Sequence, residues 1–316
     1  MQITQFGNLK FSQLMLGTCQ FGLNYGIANK NGQPSYKTIC DILACAYEGG
    51  VNCLDTSPCY GTSEEVLGKA LAELGIADKV MVVSKVCPMA QKYSSSKVAD
   101  KVVEKSITHS LKHLKLEVLP ICLFHREENF CYIESLLKMK DRGLVCHTGV
   151  STMTPEVTSA IITSELVEAV QIPTNVLDHR FVYSGIYKEA KKRGIAVFVR
   201  SIYLQGLILM LEDEIPPELA DVIPVRRNLQ DVASEAGMGL AELSVRYVLG
   251  LNGFTCGVIG IDSVKQMREN LELFSKGPLG SDLIKIVDNV VPDLSDKILM
   301  PNKWSNRTPD IIPESS

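Results

Sequence analysis

Four side chains of the kinds that move protons stand at Asp55, Tyr60, Lys85 and His125. A phenol alone is a reluctant acid and a worse base partner, because its unperturbed pKa is about 10. An ammonium beside it stabilises the phenolate, and a carboxylate beside the ammonium keeps that charge in place. An imidazole aimed at the same point can orient a carbonyl oxygen. Together such groups could hand a proton to an oxygen on which negative charge develops, which is what hydride delivery to a carbonyl requires.

These residues are far apart in sequence, so the fold must gather them. Asp55 follows a short apolar run at 51–54, itself preceded by a helix that stops on Gly49-Gly50. Tyr60 lies on the ensuing loop, and a helix is predicted from near Ser63, where Thr62 and Glu65 have capping-box spacing. Lys85 ends the apolar run 79–85 and His125 ends the run 118–125. Further runs at 14–18, 145–150, 167–172, 194–199 and 255–259 bring the short apolar segments to eight. Helical patterns separate them. Ser35 opens one with apolar Ile39, Ile42, Leu43 and Ala46; others span about 97–114 and 131–143, and one opens at Thr154-Pro155. Two more, about 226–237 and 240–251, lie between the last two runs. Fully apolar strands alternating with helices imply a parallel sheet covered on both faces. Eight of them favour a (β/α)₈ TIM barrel over an open sheet. Residues 2–13 read as a hairpin around Gly7-Asn8.

One domain spanning 1–316 is expected, with the barrel at about 14–275 and a tail at about 277–316 that holds Trp304. A net charge of −4, with no basic cluster, argues against nucleic acid or an anionic membrane as partner. None of the ten cysteines forms a Cys-x-x-Cys pair, and most sit in apolar runs, which suits a reducing cytoplasm. No basic-then-apolar leader and no apolar run of about 18 residues is seen. His109 and His113 have helical spacing but no third ligand nearby, so a solvated helix face is the expectation and no metal site. Cys59 and Cys87 flank Tyr60 and Lys85 and are read as packing residues.

The stretch from Gly50 to Gly68, Gly-Val-Asn-x-Leu-Asp-Thr-Ser-x-x-Tyr-Gly-x-Ser-Glu-x-x-Leu-Gly, resembles the signature of the aldo-keto reductase superfamily. The resemblance extends over roughly 14–275. It implies an NAD(P)H-dependent oxidoreductase that turns an aldehyde or ketone into an alcohol, a sugar or related small carbonyl among them. Asp55, Tyr60, Lys85 and His125 then match the family's tetrad, with Tyr60 as general acid and base. It also implies a hairpin plugging the barrel bottom and a tail near the active-site face. Two other readings are a cofactor-binding regulatory subunit and a lyase or isomerase that uses bound cofactor transiently.

No Gly-x-Gly-x-x-Gly follows a strand, so the cofactor carries no Rossmann signal here. By resemblance, Gly17 and Thr18 contact cofactor, and Ser151 and Gln171 hold the nicotinamide carboxamide. The run Val199-Arg200-Ser201 through Gly206-Leu207 is similar to the family's Tyr-Ser-Pro-Leu-x-x-Gly-Leu, with Arg200 in place of the aromatic. The stretch Gly260, Ser263, Lys265, Asn270 is similar to the adenosine 2′-phosphate side, with Asn270 at the adenine. Ser263 and Gln266 have a second capping-box spacing. Lys265, in the first turn of that helix, makes NADPH the expected cofactor, with NADH as the alternate.

Overall fold

The structure, a computed structural model, describes residues 1–90, 93 and 95–305. Two short strands, β1 (Ile3–Phe6) and β2 (Leu9–Ser12), pair antiparallel around a turn at Gly7. Eight parallel strands follow: β3 (Leu14–Gly17), β4 (Cys53–Asp55), β5 (Met81–Val86), β6 (Leu119–Phe124), β7 (Val145–Ser151), β8 (Ala169–Pro173), β9 (Ala196–Arg200) and β10 (Cys256–Gly260). They close into a barrel in which β10 pairs back onto β3. The expected (β/α)₈ architecture is therefore present. Around it lie α1 (Tyr36–Glu48), α2 (Ser63–Leu74), α3 (Ser96–Leu114), α4 (Ile133–Asp141), α5 (Pro155–Thr163), α6 (Arg180–Tyr183) and α7 (Ile186–Arg193). Then come α8 (Ile223–Glu235), α9 (Leu240–Leu249), α10 (Val264–Ser275), α11 (Ser281–Val290) and α12 (Asp296–Leu299).

Two hydrophobic layers hold this together. The larger lies between strands and helices; α1 buries Ile39, Ile42, Leu43 and Ala46 there, the spacing of one helix face. Ser35 caps that helix by accepting from the Thr38 amide at 3.2 Å. The smaller layer fills the barrel interior with Met15, Cys53, Val83, Leu123, Ala169 and Phe198, one from each of six strands. Side chains alternate along a strand, so the residues two positions on face inward one level higher. Those residues are Gly17, Asp55, Lys85, His125, Gln171 and Arg200. The apolar plug thus determines which polar residues share the rim above it.

Below the plug the hairpin closes the barrel. Phe11 is fully buried, with its ring centroid 5.5 Å from that of Phe198. At the other end of the chain, Tyr247 of α9 donates to Asp288 of α11 at 2.8 Å, and the Trp304 indole donates to the Lys297 carbonyl at 3.0 Å. The tail residues 277–305 pack on α8, α9 and the segment 217–222, and line no part of the cleft described below.

The Thr62–Glu65 capping box does not form. Thr62 has φ −87° and ψ 8°, not the extended conformation a capping residue takes, and its hydroxyl instead accepts from Gln33 at 3.4 Å. Phe11→Ala should cost about 3–5 kcal/mol of stability, since it empties the floor of a closed interior. Ile3→Ala, on the exposed side of the hairpin, should cost under about 0.5 kcal/mol. Urea denaturation of both variants checks this, and equal losses would show that the hairpin does not seal the barrel.

Candidate active site

Lys85 is 1% exposed, yet its ammonium is charged-group chemistry that needs partners. It has four. Nζ shares its three N–H donors among Asp55 Oδ1 at 2.7 Å, Asp55 Oδ2 at 2.8 Å, the Thr56 carbonyl at 2.9 Å and the Tyr60 hydroxyl at 3.2 Å. Asp55 is oriented in turn by Gln171, whose Nε2 donates to Oδ1 at 2.7 Å. The Tyr60 ring meets His125 edge-on with centroids 5.6 Å apart. His125 Nδ1 lies 3.2 Å from Ser57 Oγ, which fixes the ring. The four residues expected to share one rim do so.

Burial pushes the Tyr60 phenol well up from its ordinary value, the Asp55 charge adds to that, and Arg200 opposes it. This differs from the expectation that Lys85 would bring the phenol down towards neutrality. Burial and the Asp55 charge outweigh what the Lys85 ammonium can take off.

Tyr60 opens into a cleft of about 750 Å³, within the usual size of small-molecule sites. The floor is formed by paired Gly17 and Gly260 at the strand ends. A Cβ at Gly260 would lie 2.3 Å from Gln20 Nε2, so the glycine leaves room for the Gln20 side chain to lie against the strand end. The Gln20 Oε1 atom is buried without a partner. Beyond β9 the chain enters left-handed conformations at Ser201 (φ 64°), Leu204 (φ 48°) and Gln205 (φ 54°). Asn175 holds that bend by donating to the Ser201 carbonyl at 3.0 Å. Gln205 donates to the Tyr25 hydroxyl at 3.1 Å, and Lys30 pairs with Glu214, so two loops join beside the cleft.

A family model for the Aldo/keto reductase family matches residues 13–292. The chain belongs to the aldo/keto reductase family. It is 24% identical over 252 residues to an L-galactose dehydrogenase of Arabidopsis thaliana, covering 72% of this chain and 74% of that protein. It is 22% identical to a probable voltage-gated potassium channel subunit beta of the same plant, covering 95% of this chain and 99% of that one. An aldo-keto reductase of Bacillus halodurans in its holo form superposes with a TM-score of 0.75 at 19% identity, over 92% of this chain and 97% of that structure. At that identity the superposition speaks for the fold.

The residues expected at this reductase's cofactor site divide into two groups. Gly17, Gln171, Arg200, Ser201, Gly260 and Asn270 line the cleft. Arg200 donates to the Thr152 carbonyl at 3.0 Å. The remaining four do not line it. Thr18 is wholly buried, its hydroxyl donating to the Asp55 carbonyl at 3.0 Å, so it braces β4. Ser151 is buried and outside the lining. Ser263 caps α10 by accepting from the Gln266 amide at 3.3 Å, while Gln266 reaches back to the Asp262 amide at 3.0 Å. Lys265 also lies outside the lining. Its side chain is 85% exposed and sits 3.9 Å from Glu269, directed to solvent by its place on the helix.

The His109 and His113 rings lie 4.0 Å apart, but among the described residues no set of three groups could hold a metal. Sequence reasoning passed over Gln20, Tyr25, Tyr203 and Asp262, all of which line the cleft. It also passed over Glu64, which the motif contains. Glu64 is 3% exposed, with Oε1 accepting from Ser84 at 2.6 Å and Oε2 unpartnered. Burial pushes its carboxyl up from 4.5 to about 7.

The folded state therefore holds the Glu64 proton more tightly than the unfolded chain does. That contribution to stability is fully present below pH 4.5 and is lost as pH rises towards 7. Glu64→Gln removes the titration while keeping the shape. Its stability relative to wild type should rise between pH 4 and pH 8 by about 3 kcal/mol. Denaturation curves at the two pH values measure this, and a pH-independent difference would mean that the carboxyl is not held protonated.

Proposed function

We propose that this chain reduces an aldehyde or ketone to an alcohol with NAD(P)H, Tyr60 donating the proton. The observation that carries the reading is the Lys85 ammonium, which bonds Asp55 at 2.7 Å and Tyr60 at 3.2 Å beneath an open cleft. The raised phenol pKa keeps Tyr60 protonated through neutral pH, which suits a proton donor.

The cleft fits a nicotinamide dinucleotide. Its floor is glycine backbone, the α10 N-terminus stands at one end, and Gln171 and Arg200 flank Tyr60 at the other. When bound, that group supplies a hydride to the carbonyl carbon. His125 orients the carbonyl oxygen towards Tyr60, and Tyr60 gives up its proton as charge grows there. The phenolate left behind faces Lys85 Nζ, whose charge stabilises it; Asp55 and Gln171 keep Lys85 placed. Arg200 adds a second cation, which favours a neutral reduced nicotinamide over its cationic oxidised form. The substrate is a small carbonyl compound, sugars included, shaped by the loops at Tyr25 and Gln205. None of the ten cysteines is joined in a disulfide, in keeping with a reducing cytoplasm as the place of action. A solely regulatory role would have no use for a buried ammonium on the reactive phenol.

Tyr60→Phe should fold, bind cofactor and lose about 100-fold or more in kcat against generic aldehydes. Retention of more than about a tenth of wild-type kcat would refute the donor assignment. Lys85→Met should cripple turnover and shift the pH profile of residual alcohol oxidation upward, because the phenolate loses its cation. An active Lys85→Met enzyme with an unmoved profile would dismiss the role given to Lys85.

A further inference from the structure

The two cysteines that flank Tyr60 and Lys85 meet. Strands β4 and β5 pair at Asp55 and Val83, and the Thr56 amide donates to the Val83 carbonyl at 2.9 Å. Cys59 follows Asp55, and Cys87 follows Val83, by the same number of residues. Two loops thus leave neighbouring strand ends in step, and the Cys87 thiol is hydrogen-bonded to that of Cys59. Serines hold both backbones in place. The Cys59 amide donates to Ser57 Oγ at 3.1 Å, and the Cys87 amide donates to Ser106 Oγ at 3.2 Å. Neither cysteine lines the cleft.

Cys53 and Cys256 make a second contact of this kind, but both are sealed in the barrel interior, and burial pushes the Cys256 thiol well up. Cys87 differs. It is half-buried, and the bond from Cys59, helped by one from Ser106, brings its thiol down against the opposing effect of burial. The thiolate is the form that attacks a peroxide, so reactivity follows thiolate character and access. Cys87 has both, and Cys59, 1% exposed, stands behind it as a second sulfur.

We propose that Cys59 and Cys87 are a reversible oxidation site, closed by a hydroperoxide, and that closing it displaces Tyr60 from Lys85. The Cys87 thiolate attacks the outer peroxide oxygen and the O–O bond breaks. This leaves a sulfenic acid on Cys87 and, after protonation, water or an alcohol. The Cys59 sulfur then attacks the Cys87 sulfur, and the expelled hydroxide takes the Cys59 proton and leaves as water. The sulfurs give up two electrons in all, and the peroxide takes them. A dithiol reverses the step by exchange.

Tyr60 follows Cys59 directly in the chain. Bonding two sulfurs that now only touch draws that loop towards Cys87, and the Tyr60 hydroxyl, 3.2 Å from Lys85 Nζ, goes with it. Ser57 moves too, since it accepts from the Cys59 amide and stands 3.2 Å from His125 Nδ1. The loss of turnover rests on the function proposed above; the sulfur chemistry does not.

Hydrogen peroxide added to the full chain tests this. Peptide mass spectrometry should find Cys59 joined to Cys87. The kcat against a generic aldehyde should drop about ten-fold or more, and dithiothreitol should restore it. The His125 ring signals in the NMR spectrum should shift on oxidation and return on reduction. Cys87→Ser and Cys59→Ser, each checked for folding by circular dichroism, should start at wild-type kcat and keep it through the same treatment. In Cys59→Ser the second sulfur is missing, so dimedone should label Cys87 as a sulfenic acid. Treatment that oxidises the exposed Cys131 and Cys146 while Cys59 and Cys87 stay thiols overturns the inference. So does a Cys59–Cys87 linkage that leaves kcat and the His125 signals unmoved. A reduced protein that turns over no carbonyl overturns the carbonyl-reduction reading alone, because the linkage and the His125 signals still decide this one.

Discussion

A buried ammonium is the constraint around which this molecule is arranged. Lys85 is removed from water at the centre of a barrel, where an unpaired charge would cost several kcal/mol. It is tolerated because Asp55 takes both its charge and two of its hydrogen bonds, and the Thr56 carbonyl takes another. Those partners come from the neighbouring strand, so they require a parallel sheet in register. Asp55 needs its own support, and Gln171, on the fourth strand round from it, reaches across the interior to give it. A change in strand register would therefore unseat the charge as well as the core.

The same arrangement explains why the plug and the site are one design. Phe11, Met15, Val83, Leu123 and Phe198 fill the lower interior with apolar volume. Lys85 and Asp55 are buried directly above them, so the electrostatics at the rim act at low dielectric. Tyr60 lies at the boundary, half-buried, with the ammonium under it and the cleft over it. Burial holds the phenol protonated, and the cation becomes most effective once the phenolate forms.

Along the cleft the charge changes sign. The Tyr60 end carries Arg200 as an additional cation, and the α10 end carries carboxylates. Loops carry most of this lining, and they are held by local devices such as the Asn175 bond to the Ser201 bend.

The sequence by itself determined the strands, the order in which they occur and the four polar residues, Asp55, Tyr60, Lys85 and His125, that meet at one rim. Short apolar runs ended by Asp55, Lys85 and His125 are local signals, and parity along a strand translates them directly into inward-facing positions. Eight such runs were enough to favour closure. The cleft was legible only in part, for a physical reason. Whether a side chain on α10 faces the cleft or solvent depends on how the helix is rotated against the barrel. Its neighbours in sequence do not reveal that, so Lys265 read as a ligand contact while Asp262 and Glu269 went unread. Thr18 and Ser263 each have a structural partner, the Asp55 carbonyl and the Gln266 amide, that their places in the sequence did not announce. Glu64 sat inside a recognised motif, but its depth behind Ser84 is a property of packing between α2 and β5. Pairing along strands repeats at fixed distance and can be read from one chain. Contacts between loops, helix rotation and burial of single charges are settled by tertiary packing alone.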